Sequence, residues 1–297
     1  MTLPKLSGAG TALITPFNAE GTVDYSAVQR LTQRQVEHGI DMLVPCGTTG
    51  EAVTLSDVEY QKLLETVVET VNGRIPVIAG AGSNATMRTL ENARVAAAIG
   101  VDAVLIVGPY YNKPTQEGYY QHFRAVADGI DCGVVMYNVP GRTGGNITAE
   151  TQLRIAEGGN VIATKEASAN FTQIYDIVRG KPDGFSVLSG DDDLVLAQIA
   201  MGIDGVISVA ANELPTDITH MVHLALDGKL TEAREIYDRL VTLLRMNFIE
   251  SNPIPVKTAM AMMGLIEERF RLPLVPMQRA NRERLEVVLR SLDLLAS

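Results

Sequence analysis

Val161-Ile162-Ala163-Thr164-Lys165 is an apolar run of strand length that ends on a charge, with no alternation of polar and apolar positions before it. Such an unbroken run implies a strand covered on both faces, as in a parallel sheet packed against helices. Seven further runs of this kind lie at 11–17, 42–46, 76–81, 103–107, 133–137, 185–188 and 205–209. Between them fall helical patterns at 27–37, 56–71, 86–99, 117–128, 149–157, 171–178, 194–201 and 214–226. The stretch 56–71 is the clearest: Ser56 can cap the helix, Glu59 stands three residues on as in a capping box, and Leu63, Leu64, Val67 and Val71 form one stripe. Eight strand–helix units predict a (β/α)8 TIM barrel rather than a doubly wound open sheet, which carries fewer strands. After Gly228 the strand signal stops, and 230–250, 256–267 and 278–295 are expected as helices, with Pro253, Pro255, Pro273 and Pro276 at the breaks. Residues 1–228 are therefore read as the barrel and 229–297 as a C-terminal three-helix extension, in which Met260, Met262 and Met263 are expected to fill the core, with an interface as the alternative.

The 297 residues are 46% hydrophobic and 20% charged, which excludes a disordered or fibrous chain. Lys+Arg 25 against Asp+Glu 35 leaves a net charge of −10, which repels phosphate backbones and anionic membrane surfaces, so no nucleic acid or membrane partner is expected. The greasiest stretch, 95–111, is interrupted by Gly100, Asp102 and Gly108 and falls short of the roughly 20 apolar residues of a bilayer span. Cys46 and Cys132 stand at the ends of apolar runs and read as free thiols, which suits a reducing, cytoplasmic location. The first residues, with one lysine and an apolar stretch broken by Gly8, Gly10 and Pro16, are expected to be mature protein rather than a secretion leader.

In a barrel of this kind the reacting groups project from the C-terminal ends of the strands. Lys165 ends one of them, while the other six lysines fall in predicted loops or helices where an ammonium can reach water. Burial at the barrel mouth lowers a lysine pKa, and a neutral amine attacks ketones and aldehydes to give an iminium. Glu166, next in an extended strand, points to the other face. Tyr137 ends the adjacent predicted strand and can carry the protons that carbinolamine formation and dehydration require. Gly47-Thr48-Thr49-Gly50-Glu51 sets two hydroxyls and several N–H groups in a tight turn suited to a carboxylate, so a keto acid is the natural ligand.

Other signals are weaker. Gly80-Ala81-Gly82-Ser83-Asn84-Ala85 satisfies a relaxed dinucleotide fingerprint, yet Asp102 precedes the next strand where an acidic residue should end it. His220 and His223 lack further ligands on a peripheral helix, and Asp191-Asp192-Asp193 suits a helix start as well as a cation. No metal and no cofactor are expected.

Six motifs stand in strand order: G-T-T-G-E at 47–51, Y-Y-N-K-P at 110–114, Y-N-V-P-G-R-T-G at 137–144, K-E-A at 165–167, G-D-D at 190–192 and G-V-I-S-V at 205–209. Together they resemble the dihydrodipicolinate synthase family, part of the pyruvate-dependent class I aldolase superfamily that includes N-acetylneuraminate lyase. The resemblance runs over essentially the whole chain. It implies that Lys165 forms a Schiff base with pyruvate, that Tyr137, Thr48 and Tyr111 form a proton relay, and that Tyr111 reaches in from a neighbouring subunit. It further implies that Thr49 and the backbone at Ile207 and Gly190 hold the pyruvate end, and that Arg142 holds the carboxylate of aspartate semialdehyde. The implied product is 4-hydroxy-tetrahydrodipicolinate, on the route to diaminopimelate and lysine, and the implied assembly is a homotetramer of two tight dimers. Thr48, where neuraminate lyases carry Ser, and Arg142, which they lack, favour the synthase branch. The alternative is a lyase splitting a 2-keto-3-deoxy sugar acid or 4-hydroxy-2-oxoglutarate with the same lysine. Effector lysine in this family sits at positions matching Ala52, Val53, Asp57, Tyr60, Asn84, Arg88 and Tyr110; sensitive bacterial forms usually carry glutamate where Arg88 stands here, so weak or absent inhibition is expected.

Overall fold

The computed structural model describes residues 3–295. Among these, eight parallel strands form one sheet in the order β2-β1-β8-β7-β6-β5-β4-β3. The strands are β1 Gly8–Ala12, β2 Met42–Val44, β3 Ile78–Gly80, β4 Ala103–Val107, β5 Gly133–Asn138, β6 Val161–Glu166, β7 Ser186–Ser189 and β8 Gly205–Ser208. A single bridge, Leu43 to Val77, joins β2 to β3 and brings the sheet round into a nearly closed TIM barrel. The helices between strands are α1 Tyr25–Glu37, α2 Asp57–Val71, α3 Thr86–Ile99, α4 Gln116–Ala127, α5 Pro140–Thr143, α6 Ala149–Ala156, α7 Phe171–Gly180, α8 Val195–Ala200 and α9 Pro215–Leu226. They are followed by α10 Leu230–Met246, α11 Ile254–Met262 and α12 Arg279–Ser291. The capping box at Ser56 and Glu59 is present, with both reciprocal bonds formed.

Strand residues alternate between two apolar layers, which is why the runs carry no polar beat. Val104, Val134, Val187 and Val206 face the helices. Ala103, Val135, Leu188 and Ile207 fill the barrel interior. The ladder between β5 and β6 breaks this rhythm once. Val134 pairs with Val161, but Val135 pairs with Ala163, so Ile162 is an extra residue in β6. A bulge of this kind reverses the facing of every residue after it. Lys165, rather than Thr164, thereby turns inward opposite Tyr137.

The first strand is displaced from its expected position at 11–17. Gly8 and Gly10 lie before that expected start, yet both are in the strand; a Cβ on Gly8 would stand 2.1 Å from Asp41 Oδ2, and one on Gly10 2.5 Å from Met42 Cγ. Both glycines are strand residues that let neighbouring backbone and side chains approach. The single turn α5 was also not expected; Pro140 starts it and Gly144, at φ 73°, ends it. Met260 is buried in the main core, while Met262 and Met263 are half-buried. No helix among the described residues is long and apolar enough to cross a membrane.

Candidate active site

At the C-terminal ends of the strands lies a cleft made of two hollows of about 250 and 180 Å³, which share Gly47, Thr48, Leu105, Tyr137, Val139 and Arg142. Lys165, Thr49, Gly190, Asp191 and Asn252 line the inner one. Six residues singled out from the sequence, Lys165, Tyr137, Thr48, Thr49, Arg142 and Gly190, thus meet around one space.

Lys165 is 5% exposed and its Nζ lies 4.5 Å from the centroid of the Tyr137 ring. Burial pushes its ammonium down to about 8; Asp192 and Asp191 oppose this, and Arg142 adds to it. At neutral pH about a tenth of the lysine is then a free amine, far more than for an exposed lysine. Burial likewise pushes the Tyr137 hydroxyl up to about 12, so it stays protonated and able to donate. Gly190 leaves room for the lysine stem, since a Cβ there would stand 3.0 Å from Lys165 Cε and 2.6 Å from Ala167 Cβ.

Glu166 points away from the cleft, as its place in the strand implies. It accepts hydrogen bonds from Asn138 Nδ2 at 3.0 Å, Gln152 Nε2 at 2.7 Å, Gln173 Nε2 at 3.2 Å and the Ser168 N–H at 3.0 Å. Because Asn138 follows Tyr137 and Glu166 follows Lys165, this buried network ties β5 to β6 directly behind the facing pair.

The 47–51 turn is tightly built. Gly50 N–H donates to Gly47 O at 3.1 Å, Glu51 N–H to Thr48 O at 3.0 Å, and Thr15 Oγ1 to Gly50 O at 2.6 Å. Cys46 and Glu51 both hold left-handed backbone, at φ 57° and 50°, a conformation that costs of order 1–3 kcal/mol per residue and persists only where contacts enforce it. One such contact is Gly80, where a Cβ would lie 2.0 Å from Cys46 O. Gly80 and Gly82, the glycines of the apparent dinucleotide fingerprint, serve close strand packing; a Cβ on Gly82 would be 2.6 Å from Val107 N.

Two singled-out residues stand apart. Ile207 is fully buried inside the barrel, and Tyr111 is 88% exposed at φ 73°, outside both hollows. The acidic run does not open a helix: Asp192 is buried and accepts from the Val209 and Ala210 N–H groups, both at 2.9 Å. His223 Nε2 bonds Asp41 Oδ2 at 2.8 Å. Among the described residues no three of His, Cys, Asp and Glu gather as a metal site would require.

One expectation is overturned. Lys257, taken for a solvent-reaching lysine, is 0% exposed and pairs with buried Glu51 at 2.5 Å. The error is physical: a lysine on an amphipathic helix is normally at the surface, and its partner lies 206 positions away. Asn252 was also missed. Its Nδ2 donates to Thr49 Oγ1 at 2.9 Å, and its carbonyl accepts from Arg142 Nη2 at 3.3 Å.

Residues 5–292 match the model of the dihydrodipicolinate synthetase (DHDPS) family. The 4-hydroxy-tetrahydrodipicolinate synthase of Koribacter versatilis is 52% identical over 285 residues, covering 96% of this chain and 95% of the relative. The crystal structure of dihydrodipicolinate synthase from Aquifex aeolicus superposes with TM-score 0.95 at 45% identity, covering 97% of this chain and 99% of the other. A DHDPS from Cyanidioschyzon merolae with lysine bound superposes with TM-score 0.95 at 39% identity, covering 97% and 99%.

Proposed function

The chain belongs to the dihydrodipicolinate synthetase family and is a lyase, and from that premise we propose that Lys165 carries the condensation of pyruvate with L-aspartate 4-semialdehyde to 4-hydroxy-tetrahydrodipicolinate. The observation that carries this reading is the pairing of a buried, pKa-lowered amine with a protonated phenol across one strand ladder, at the wall of a cleft.

The Lys165 amine attacks the keto carbon of pyruvate, and the C–N bond forms as the carbonyl electron pair moves to oxygen. Tyr137, with Thr48 in relay, passes one nitrogen proton to that oxygen to give the carbinolamine and then delivers a second proton drawn from solvent, so that the oxygen leaves as water and the iminium forms. Transfer of a methyl proton to the relay gives an enamine whose carbon attacks the aldehyde, forming the C–C bond as the carbonyl electron pair moves to oxygen and takes a proton back from the relay. The amino group of the second substrate then displaces Lys165 from the iminium carbon, closing the ring and returning the free amine. One water is released overall. Thr49 and Gly190, with the Ile207 backbone, hold the pyruvate carboxylate, and the Arg142 fork holds the carboxylate of the semialdehyde.

In the same reading residues 1–228 are the catalytic barrel and 229–297 the helical extension, and the protein works in the cytoplasm as a homotetramer of two tight dimers. Two free cysteines support the location. Exposed Val53, Val58, Met87 and Tyr111, at 84, 75, 63 and 88%, support a partner subunit covering this side of the cleft and receiving Tyr111. The test is borohydride reduction with pyruvate, followed by intact mass, peptide mapping and turnover assays. A reduced adduct on Lys165 with turnover of the semialdehyde supports the proposal; an unlabelled Lys165 would overturn it.

A further inference from the structure

Glu51 closes the turn that carries Thr48 and Thr49, and its side chain leaves the cleft to enter the protein. There Oε1 meets Lys257 Nζ at 2.5 Å and Oε2 accepts the Arg271 N–H at 3.3 Å. The ammonium is enclosed, with the Phe17 and Phe270 ring centroids 4.3 and 5.1 Å away. Five residues before Lys257, Asn252 holds the Thr49 hydroxyl and, through its carbonyl, Arg142. One segment of the extension therefore grips the turn at positions 49 and 51, on either side of its backbone reversal, and reaches the arginine as well.

A buried ion pair adds little stability over apolar residues of equal volume, but it fixes geometry, because each charge has one partner and no water to substitute for it. Left-handed backbone at Glu51 requires such enforcement. We infer that the Glu51–Lys257 pair is a positioning device for the reaction: it locks the 47–51 turn so that the Thr48 hydroxyl and Thr49 stay aimed at the carbon bound to Lys165. The inference rests on the Schiff-base reading of Lys165, to which Lys257 contributes no contact of its own.

The test uses the full chain with Lys257→Met, and also Glu51→Gln/Lys257→Met, in which no buried charge is left alone. Each variant is checked for a cooperative melt, then assayed for borohydride-trapped pyruvate on Lys165, for kcat and for KM. Positioning predicts complete labelling of Lys165, kcat lower by about 10- to 100-fold, as displacements near 1 Å cause, and a raised KM for pyruvate. It also predicts faster amide exchange over residues 47–54, and recovery of most of kcat in Lys257→Arg. Wild-type kcat and KM in the folded double variant would overturn the device. Failure of the wild-type protein to label Lys165 is a separate result that would remove the Schiff-base reading and this inference with it.

Discussion

Tyr137 and Lys165 face each other across the β5–β6 ladder because Ile162 is one residue too many. Without that bulge the register begun at Val134 and Val161 would set Tyr137 against Thr164 and turn the lysine toward the helices. The chemistry at the barrel mouth thus depends on an irregularity near the opposite end of the strand.

Tyr137→Phe keeps the ring beside the amine and removes the proton carrier. The expected outcome is a kcat lower by about 10²- to 10⁴-fold, with the Lys165 adduct still trapped after long incubation. Stopped-flow formation of the iminium checks this; an unchanged rate would assign the proton to another group.

The pH profile of kcat/KM for pyruvate reports the free enzyme. Burial lowers the Lys165 ammonium to about 8, so activity rises with pH as the amine loses its proton and levels off above about 8. Asp191, itself raised by burial to about 6, holds the lysine's pKa up. Asp191→Asn removes that charge and should shift the acidic limb to lower pH. A shift the other way in the measured profile would contradict the electrostatic assignment.

Arg88 meets Asp57 in an ion pair and lies 3.6 Å from Glu91. Both acids beside it are therefore engaged by the guanidinium rather than open to an incoming ammonium, and weak or absent inhibition by lysine is expected. Arg88→Glu reverses the charge and frees Asp57, and should bring inhibition into the submillimolar range in a lysine titration. Full inhibition of the unaltered protein at that concentration would refute the argument.

Glu213 is fully buried; its Oε2 accepts from Asn247 Nδ2 at 2.6 Å and its Oε1 has no partner among the described residues. Burial raises it from 4.5 to about 8. Between these values the unfolded chain gives up this proton and the folded chain keeps it, so stability falls as pH rises and the loss is complete above about 8. Glu213→Gln should flatten this part of the Tm–pH curve, and parallel curves for the two proteins would count against it.

The barrel was legible because two-sided burial writes each strand as a plain apolar run. Lys165 stood out as a charge that this pattern does not tolerate without a purpose, and Tyr137 followed from adjacency. The start of β1 at Gly8 was not legible because glycine signals both a break and a close approach, and only the neighbour across the ladder tells which. The bulge at Ile162 has no sequence mark. Glu51, Asn252 and Lys257 were opaque for another reason: each looks ordinary alone, and their meaning lies in contacts across some 200 positions.

The grip of Lys257 on Glu51 also sets a timetable. A ribosome adding about 5 to 20 residues per second needs roughly 10 to 40 s to travel the 206 residues between them. Throughout that interval the nascent chain holds the threonine turn without its clamp, and for the last 92 residues of it Lys165 is already made. The extension is thus the last part delivered, and translation that stalls between residues 208 and 257 leaves a polypeptide with every strand in hand and its working turn slack.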